Sequence, residues 1–344
     1  MKKRFTVLCA ALTIFFLSVL AVAQQQQFAA LGDVKLQSGE VLRECRIGYR
    51  TYGTLNADKS NAILVPTWAG GTTAELENMI VKDKMPDPSK YFVITVDALS
   101  NGVSTSPSNS RVQPRMQFPR IALRDMVETQ HELLTRVLGI HHLKAVMGVS
   151  MGGMQTFQWM VAYPDFMDAA VPIVGSPRLA PYDLVLWQTQ IDAIMNDPAW
   201  KSGNYDKNPA RTAEVEFGDL FLSTPEHFNQ GTTREKVMQD MAQAPAKNEG
   251  SDANNKVRQS QAMMALDVSA AFGGSMEKAA ATVKARVFVI VARYDHTVTP
   301  QPAIDFAHLL NAKLQVLDND CGHLAPSCAM ATIAPAVAGF LAQP

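Results

Sequence analysis

The sequence predicts an α/β fold with a mostly parallel central sheet, helices on both faces and an inserted helical cap. Two patterns lead to this prediction. Short runs rich in Val, Ile and Leu alternate with amphipathic stretches of helical spacing, as expected for strands buried on both faces. The stretch 177–280 breaks the alternation, because it holds helical patterns and many Asn, Gly and Pro residues but no strand-like run.

The expected elements can be placed along the chain. Residues 28–53 are typical of two antiparallel strands with a turn at Ser38 and Gly39. The stretch RIALRDMVETQHELLTRVLGI predicts a helix that stops at Gly139. The buried strands are expected at 61–68, 91–99, 144–150, 168–176, 285–295 and 313–320.

One inserted segment divides the expected core. Residues 24–176 and 281–344 hold the predicted strands, and residues 177–280 hold the predicted cap. The chain has 344 residues, 47% of them hydrophobic, which is enough for one large buried core. We therefore expect an α/β core with a helical insertion rather than two independent domains.

The first residues have the composition of a targeting segment. A basic start at residues 2–4 precedes an apolar run, and Ala23 ends a small-residue site before a glutamine tract. This order is typical of a secretory signal peptide, residues 1–23, cleaved after Ala23. An uncleaved membrane anchor is the alternative, but the apolar run is short for a span. We expect an exported protein, periplasmic or secreted, without stable membrane association after cleavage.

Charge and motif content narrow the classes of partner. The formal net charge is −1, and no basic run follows residue 4, so there is no electrostatic basis for binding nucleic acid. The sequence contains no G-x-G-x-x-G, no P-loop lysine, no H-E-x-x-H and no EF-hand loop. We therefore expect no cofactor and no catalytic metal.

The stretch AVMGVSMGGMQTFQW, residues 145–159, places Ser150 between two glycines. Gly148 and Gly152 complete a G-x-S-x-G pattern with a strand-like run before it and a helical pattern after it. This context is typical of a nucleophilic serine held on a sharp turn between a strand and a helix. The alternative is an ordinary glycine-rich connection.

A serine hydroxyl needs a base and an acid that follow it in the order acid, then histidine. Asp295 lies just past a predicted strand, and His323 lies on a loop before the last helical pattern. Asp318 and Asp320 compete with Asp295 but belong to the histidine-bearing segment. The other histidines precede the acid, adjoin it, or lie in helical patterns: His131, His141, His142, His227, His296 and His308.

An acyl-transfer site also needs two N–H donors for the oxyanion. The backbone of Met151, directly after the serine, is one expected donor. The stretch PTWAGG predicts the other, from Trp68 or Ala69, with Gly70 and Gly71 allowing a close approach. Trp68 can also serve simply as a packing residue of the pocket.

Cysteine positions leave three alternatives. Cys9 is removed with the signal peptide, so that Cys45, Cys321 and Cys328 remain. In an oxidising compartment, Cys321 and Cys328 can close a short disulfide loop. Free thiols are the second alternative, and a zinc site of Cys321, His323 and Cys328 is the third, although no fourth ligand has a recognisable spacing.

Longer stretches resemble a known family. FPRIALRDMVETQHELLTRVLGIHHLKAVMGVSMGGMQTFQWMVAYP, SNGVSTSPSNS and CGH resemble the homoserine O-acetyltransferase branch of the α/β-hydrolases. The resemblance covers most of the chain and is strongest over 61–178 and 285–325. It implies an α/β-hydrolase fold and a double displacement, in which an acyl group on Ser150 passes to an acceptor or to water.

Three departures from that family favour hydrolysis. In the transferases an aspartate that holds the substrate's amino group follows the histidine, whereas Leu324 occupies this position here. The region 177–280 lacks the arginine- and tyrosine-bearing helix that the transferases use around the substrate carboxylate. An exported enzyme would also seldom meet acetyl-CoA, which is a cytoplasmic metabolite.

The leading hypothesis is therefore an exported serine esterase that acts on a small or medium acyl ester through Ser150, Asp295 and His323. The first alternative is an O-acyltransferase of the homoserine O-acetyltransferase type, acting on a small alcohol. The second is a non-catalytic binding protein with the same fold. The polar cap predicts either a lid or the surface of a homodimer.

Overall fold

A computed structural model describes residues 25–80, 85–247 and 251–343. The predicted signal peptide, residues 1–23, lies outside the described residues. One sheet of eight strands forms the centre of the fold. The strands are β1 (Gln27–Lys35), β2 (Val41–Tyr52), β3 (Ala62–Pro66), β4 (Phe92–Val96), β5 (Leu143–Val149), β6 (Met167–Ile173), β7 (Arg286–Ala292) and β8 (Lys313–Leu317).

The sheet is mostly parallel, as the sequence predicts. Its strand order is β1-β2-β4-β3-β5-β6-β7-β8. β1 pairs with β2, and β2 with β4, in antiparallel orientation, whereas the pairings from β4 through β8 are parallel. The loops that follow β3, β5, β7 and β8 therefore meet at one edge of the sheet, where functional residues of parallel sheets commonly lie.

Helices cover both faces of the sheet. They are α1 (Thr73–Leu76), α2 (Leu123–Glu132), α3 (Met151–Ala162), α4 (Pro181–Met195), α5 (Thr212–Leu222), α6 (Pro225–Gly231), α7 (Arg234–Lys247), α8 (Ala253–Met264), α9 (Met276–Ala280), α10 (Gln301–Leu309), α11 (Ala325–Cys328) and α12 (Met330–Leu341). Helices α2, α3 and α10 pack on one face, and α12 packs on the other.

The strands alternate between two buried clusters. On β3, Leu64 faces the cluster that includes α3, whereas Ile63 and Val65 face the cluster that includes α12. On β7, Val289 faces the cluster that includes α3, and Phe288 faces the cluster that includes α12. Both faces of each strand are thus apolar, which explains the near-continuous Val, Ile and Leu runs in the sequence.

The segment between β6 and β7 holds α4 to α9. An isolated antiparallel β-bridge pairs Arg178, near its start, with Asp267, near its end. A small apolar cluster there includes Ile191, Trp200 and Val257. The boundaries of the cap at 177 and 280 stay a prediction. Within the described residues, no single helix is long and apolar enough to span a membrane, although the bent pair 322–328 and 330–341 meets the length and composition of a span.

The predicted helix over 120–140 differs in its second half. It is α-helical over Leu123–Glu132, and then continues as a π-helical turn over Leu133–Val137. Gly139 follows with φ +61°, the left-handed conformation that ends helices at glycine. The turn at Ser38 and Gly39 joins β1 to β2 as expected.

Candidate active site

Ser150 occupies the sharp turn between β5 and α3. Its backbone has φ +57° and ψ −120°, a region that residues with a Cβ rarely adopt, at a cost of about 1–3 kcal/mol. Its N–H donates to the carbonyl of Ile173 at 2.9 Å, and its own carbonyl accepts from the N–H of Met154 at 2.9 Å. These bonds hold the serine hydroxyl above the carboxyl edge of the sheet.

The glycines of the motif are required by close backbone contacts. A Cβ on Gly148 would lie 2.5 Å from the carbonyl oxygen of Gly152. A Cβ on Gly152 would lie 2.6 Å from the carbonyl oxygen of Pro66, at the end of β3. The turn therefore exists because β5, α3 and β3 approach each other without intervening side chains.

His323 joins the two other predicted residues. Its Nε2 lies 2.8 Å from Ser150 Oγ, and its Nδ1 lies 2.7 Å from Asp295 Oδ2. Asp295 follows β7, and His323 lies on a short helical turn after β8. Since β5, β7 and β8 run parallel, their loops bring the three side chains together although 173 residues separate the serine from the histidine. Of the described histidines, His323 is the one that bonds to Ser150.

The Asp295 carboxylate is fully engaged and nearly inaccessible, with 3% of the residue exposed. Its Oδ1 accepts from the backbone N–H groups of Thr297 at 2.8 Å and Val298 at 2.9 Å, and Oδ2 faces His323. A carboxylate can only accept, so the proton of the imidazole is assigned to Nδ1. The unprotonated Nε2 then faces Ser150 and can accept the hydroxyl proton.

A second buried carboxylate supports the loop that carries Asp295. Asp183, near the start of α4, accepts from the N–H and hydroxyl of Thr299 at 3.1 and 3.0 Å, and from the N–H of Ala180 at 3.1 Å. Burial raises the pKa of Asp183, and the charge of Asp295 acts in the same direction. The first helix after β6 is thereby fastened to the acid loop.

The competing acids have other partners. Asp318 lies 3.2 Å from the guanidinium of Arg293, and Asp320 accepts from His227 Nδ1 at 3.3 Å. Neither carboxylate contacts His323. Asp318 also follows a parallel strand, so it is the contact with His323 Nδ1 that distinguishes Asp295 from the later acids.

The structure resolves the three cysteine alternatives in favour of a disulfide. Cys321 and Cys328 are joined, whereas Cys45 is free and buried, and burial raises the pKa of its thiol to about 12. The free-thiol alternative for the pair is wrong. The zinc set with His323 is also wrong, because both ring nitrogens of His323 already face Ser150 and Asp295.

Within the described residues, one group has potential metal-ligand atoms within 4.8 Å of one another, namely His227, Cys321 and Cys328. Its two sulfur atoms form the disulfide, so they are not available as thiolate ligands.

The loop after β3 runs beside the serine turn. Trp68 and Ala69 are partly buried there, and among the described residues neither backbone N–H donates to another group. Met151 begins α3, so its N–H has no partner within the helix. Within the described residues, the N–H groups of Met151, Trp68 and Ala69 therefore have no other hydrogen-bond partner, and their role as oxyanion donors stays a prediction.

Two residues absent from the sequence-based site fasten this loop. The N–H of Gly70 donates to Gln259 Oε1 at 2.7 Å, and Asn101 Nδ2 donates to the carbonyl of Gly71 at 3.0 Å. Asn101 also donates to the buried Asp97 at 2.9 Å. The sequence could have indicated Asp97 as a site residue, because it directly follows a buried strand at the carboxyl edge of the sheet. Gln259 lies in a polar helix of the insertion and carried no signal.

A cleft of about 720 Å³ opens beside the loop after β3. It lies between residues 70–75, residues 100–108 and the insertion, and its lining is polar or glycine throughout. Arg211 and Lys256 are the cations in this lining, and both pair with Glu214, at 2.7 and 3.3 Å. The cleft gives a polar approach to the loop that follows β3.

Comparisons with known proteins agree with this fold. The sequence model of the alpha/beta hydrolase fold family matches residues 15–326. The chain is 34% identical to an ethyl acetate hydrolase from Pseudomonas veronii over 313 residues, which cover 86% of this chain and 88% of that protein. A homoserine O-acetyltransferase from Geotalea daltonii is 39% identical over 210 residues, which cover 55% of this chain and 56% of that protein.

A solved structure extends the likeness to the whole fold. The acetyl esterase MekB superimposes with a TM-score of 0.87 at 30% sequence identity, over 93% of this chain and 97% of that chain. Esterase-like relatives thus match most of this chain, whereas the transferase just named matches little more than half of it.

Proposed function

Because the chain belongs to the alpha/beta hydrolase fold family, we propose that it is a serine esterase that cleaves small acyl esters through an acyl-enzyme on Ser150. One observation carries the proposal: the His323 ring lies 2.8 Å from the Ser150 hydroxyl and 2.7 Å from the Asp295 carboxylate. A hydroxyl becomes a good nucleophile when an oriented imidazole accepts its proton.

Acylation follows from these contacts. Ser150 Oγ attacks the carbonyl carbon of the ester while His323 Nε2 takes the hydroxyl proton. Asp295 holds the Nδ1–H and stabilises the imidazolium that forms. When the tetrahedral intermediate collapses, the C–O bond to the alcohol breaks, and the alcohol leaves with the proton from Nε2.

The negative charge of the intermediate develops on the former carbonyl oxygen. The N–H of Met151 and the N–H of Trp68 or Ala69 are the donors for this oxygen. Each such donor is worth about a hundredfold to a thousandfold in kcat. The first-turn N–H groups of α3 add the favourable potential of a helix N-terminus.

Deacylation repeats the sequence with water. His323 Nε2 accepts a proton from the water, whose oxygen attacks the acyl carbon. Collapse releases the carboxylic acid, and the proton on Nε2 returns to Ser150 Oγ. The serine, histidine and aspartate are then back in their starting protonation states, and the steps described require no cofactor.

Two features support water as the acyl acceptor. An ethyl acetate hydrolase and an acetyl esterase each match most of this chain at 30% identity or more. Leu324 follows His323 and is 42% exposed, so this position carries no charge for the amino group of an acceptor. A small acyl group, such as acetyl, is the substrate class that these observations favour.

Labelling and kinetics of Ser150→Ala test the proposal. A fluorophosphonate should label the wild type at Ser150, and Ser150→Ala should lose labelling and at least about a thousandfold in kcat for ethyl acetate. Ser38→Ala, in the exposed turn after β1, is the matched control and should keep both properties. A folded Ser150→Ala variant that still cleaves the ester would contradict the proposal.

Acyl transfer to a small alcohol is the second candidate, favoured by the 39% identity to a homoserine O-acetyltransferase over 210 residues. The test is the partition of an acetyl ester between hydrolysis and transfer as the concentration of homoserine or another alcohol increases. An acylated acceptor above the uncatalysed background supports transfer. A product that remains entirely acetate excludes it for that acceptor.

Export is proposed from the sequence of residues 1–23. The disulfide between Cys321 and Cys328 supports it, because such bonds persist in oxidising compartments. Expression of the full chain in a two-membrane bacterium, followed by N-terminal sequencing of the periplasmic fraction, should give a mature chain that begins at Gln24. Uncleaved protein in the membrane fraction would instead indicate an anchor.

A homodimer through the insertion is proposed as well. Leu220, Phe228 and Met238 are exposed apolar side chains on α5, α6 and α7, and exposed apolar patches often mark association surfaces. Light scattering of the purified protein should give a mass near twice that of the chain, and Leu220→Asp should halve it. A monomer at all concentrations would refute the dimer.

A further inference from the structure

Three buried side chains form a hydrogen-bonded chain beneath the serine turn. Trp159 Nε1 donates to Gln130 Oε1 at 2.7 Å, and Gln130 Nε2 donates to Gln155 Oε1 at 2.6 Å. Each of these residues is at most 1% exposed. An uncharged polar chain at this depth is maintained because each unmade bond would leave a buried group unsatisfied.

The indole fixes the direction of the whole chain. Trp159 has a donor and no acceptor, so the group of Gln130 that faces it is the carbonyl oxygen. The NH₂ of Gln130 then faces Gln155, whose own carbonyl oxygen must turn towards it. The NH₂ of Gln155 is therefore directed away from α2. If the amide of Gln130 or Gln155 were turned over, two donors or two acceptors would face each other.

The NH₂ of Gln155 connects α3 to the loop after β3. Its Nε2 donates to the carbonyl of Met151 at 3.2 Å and to the carbonyl of Thr67 at 3.1 Å. Thr67 is itself fully buried. One nitrogen therefore holds the peptide unit that contains the Trp68 N–H and the peptide unit that follows the Met151 N–H.

The geometry of the peptide bond relates these contacts to the direction of the Trp68 N–H. In the trans peptide between Thr67 and Trp68, the C=O and the N–H point in opposite directions. In α3 the carbonyl of Met151 points away from the helix N-terminus, and the N–H groups point towards it. Because Gln155 holds the carbonyl of Thr67, the N–H of Trp68 in the same peptide points away from Gln155, and its direction is fixed.

We propose that Gln155 is a positioning residue of the oxyanion hole, oriented by Trp159 through Gln130, and that it selects the Trp68 N–H as the second donor. The proposal rests on the proposed esterase function. Gln155 does not touch the substrate in this scheme. It acts by holding the peptide of Trp68 in a direction useful only when charge develops on the substrate oxygen, so its loss should lower kcat rather than raise KM.

Gln155→Met tests the proposal, because it preserves the side-chain length and removes both polar ends. We expect kcat per active site to fall about tenfold to a hundredfold, with KM within about twofold of the wild type. Active sites are counted by fluorophosphonate titration, which removes any loss of folded protein from the comparison. Thr129→Val, which removes a buried hydroxyl of α2 that bonds only to Met126, is the matched control and should keep the wild-type kcat.

Two further measurements separate positioning from stability. A trifluoromethyl ketone forms a tetrahedral adduct on the serine, so its inhibition constant should rise for Gln155→Met by the same factor by which kcat/KM falls. Trp159→Phe keeps an aromatic side chain but removes the orienting donor, and it should give a smaller loss of kcat. If Gln155→Met does not fold, the result for Trp159→Phe decides.

The outcomes distinguish this inference from the esterase proposal. An unchanged kcat per titrated site, or a raised KM at constant kcat, would overturn the role of Gln155 while an inactive Ser150→Ala still supported the esterase. An active Ser150→Ala would overturn the esterase itself. A ketone affinity that stays at the wild-type value while kcat falls would also reject the oxyanion role.

Discussion

The backbone N–H of Gly70 donates to Gln259 Oε1 at 2.7 Å, which joins the loop after β3 to helix α8 of the insertion. Gln259 Nε2 donates in turn to the carbonyl of Leu99 at 3.0 Å, beyond β4. The residue is 1% exposed. The insertion is therefore not only a cover, because one of its helices helps to hold the loop that carries the proposed oxyanion donors.

Replacing Gln259 should damage both activity and stability. Gln259→Leu releases the N–H of Gly70 and leaves the carbonyl of the buried Leu99 without its partner, and an unsatisfied buried group costs about 1–3 kcal/mol. We expect kcat/KM to fall about tenfold and the thermal midpoint to fall by several degrees, measured by ester hydrolysis and calorimetry. Gln188→Leu, at an exposed position of α4, is the control and should change neither. Wild-type kinetics in Gln259→Leu would show that the loop holds itself.

The disulfide leads to a second prediction, because its closed loop contains His323. For a loop of this length the chain-entropy relation gives about 2–3 kcal/mol of stabilisation. Cys328→Ser should lower the thermal midpoint and reduce kcat, since His323 lies within the segment that is released. A reductant should produce the same changes in the wild type and none in Cys328→Ser. If the reductant opens the bond and leaves midpoint and kcat untouched, the bond has no part in holding His323.

Local patterns explain how much of this fold and site could be predicted. The runs that form β3, β5 and β7 were visible because a strand buried on both faces must be apolar on both. Ser150 was visible because its turn requires glycines within two residues on each side. Asp295 and His323 were then found by their order in the chain and their places after strands, not by any contact that the sequence reveals.

The residues that were missed act through distant contacts. Gln259 lies 189 residues from Gly70, and Asn101 lies 30 residues from Gly71. Neither bond leaves a periodic trace, since a buried glutamine in a helix has the same sequence appearance as an exposed one. The π-helical turn over Leu133–Val137 was missed for a related reason, because apolar spacing alone does not distinguish it from a regular helix.

A pH dependence of stability follows from His131 in α2. Its ring stacks on Tyr163 at 4.1 Å and meets Phe166 edge-on at 4.9 Å. Burial lowers the pKa of His131, so the folded state binds the proton more weakly than the unfolded state. Its contribution to stability is therefore present above the unfolded pKa of about 6.5 and is lost as the pH falls through the folded pKa. The charged groups near the ring are Arg124, Glu128, Glu132 and His141.

His131→Phe should remove this dependence while preserving the ring stack. Between pH 7.5 and pH 5, the thermal midpoint of the variant should fall less than that of the wild type. His308→Gln, at an exposed position of α10, should follow the wild-type curve. Parallel curves for wild type and His131→Phe would show that His131 takes up its proton equally well in both states.

Two glycines provide the last prediction, in which opposite outcomes are expected for the same substitution. A Cβ on Gly152 would lie 2.6 Å from the carbonyl oxygen of Pro66, whereas the nearest atom to a Cβ on Gly218 is 4.0 Å away, on Gln190. Gly152→Ala should therefore destabilise the fold by about 1–3 kcal/mol and reduce kcat, because α3 must move away from the loop that follows Pro66.

Gly218→Ala should instead stabilise the fold by about 0.5–1 kcal/mol, because glycine within a helix carries an entropic cost and the space is open. Urea unfolding measures both changes, and the slope with denaturant should remain constant if only the folded state is affected. Since the space beside Gly218 is open, its alanine variant should keep the wild-type kcat. Equal effects of the two substitutions would mean that the backbone contact between α3 and β3 does not constrain the turn, and the strain at Ser150 would then need another cause.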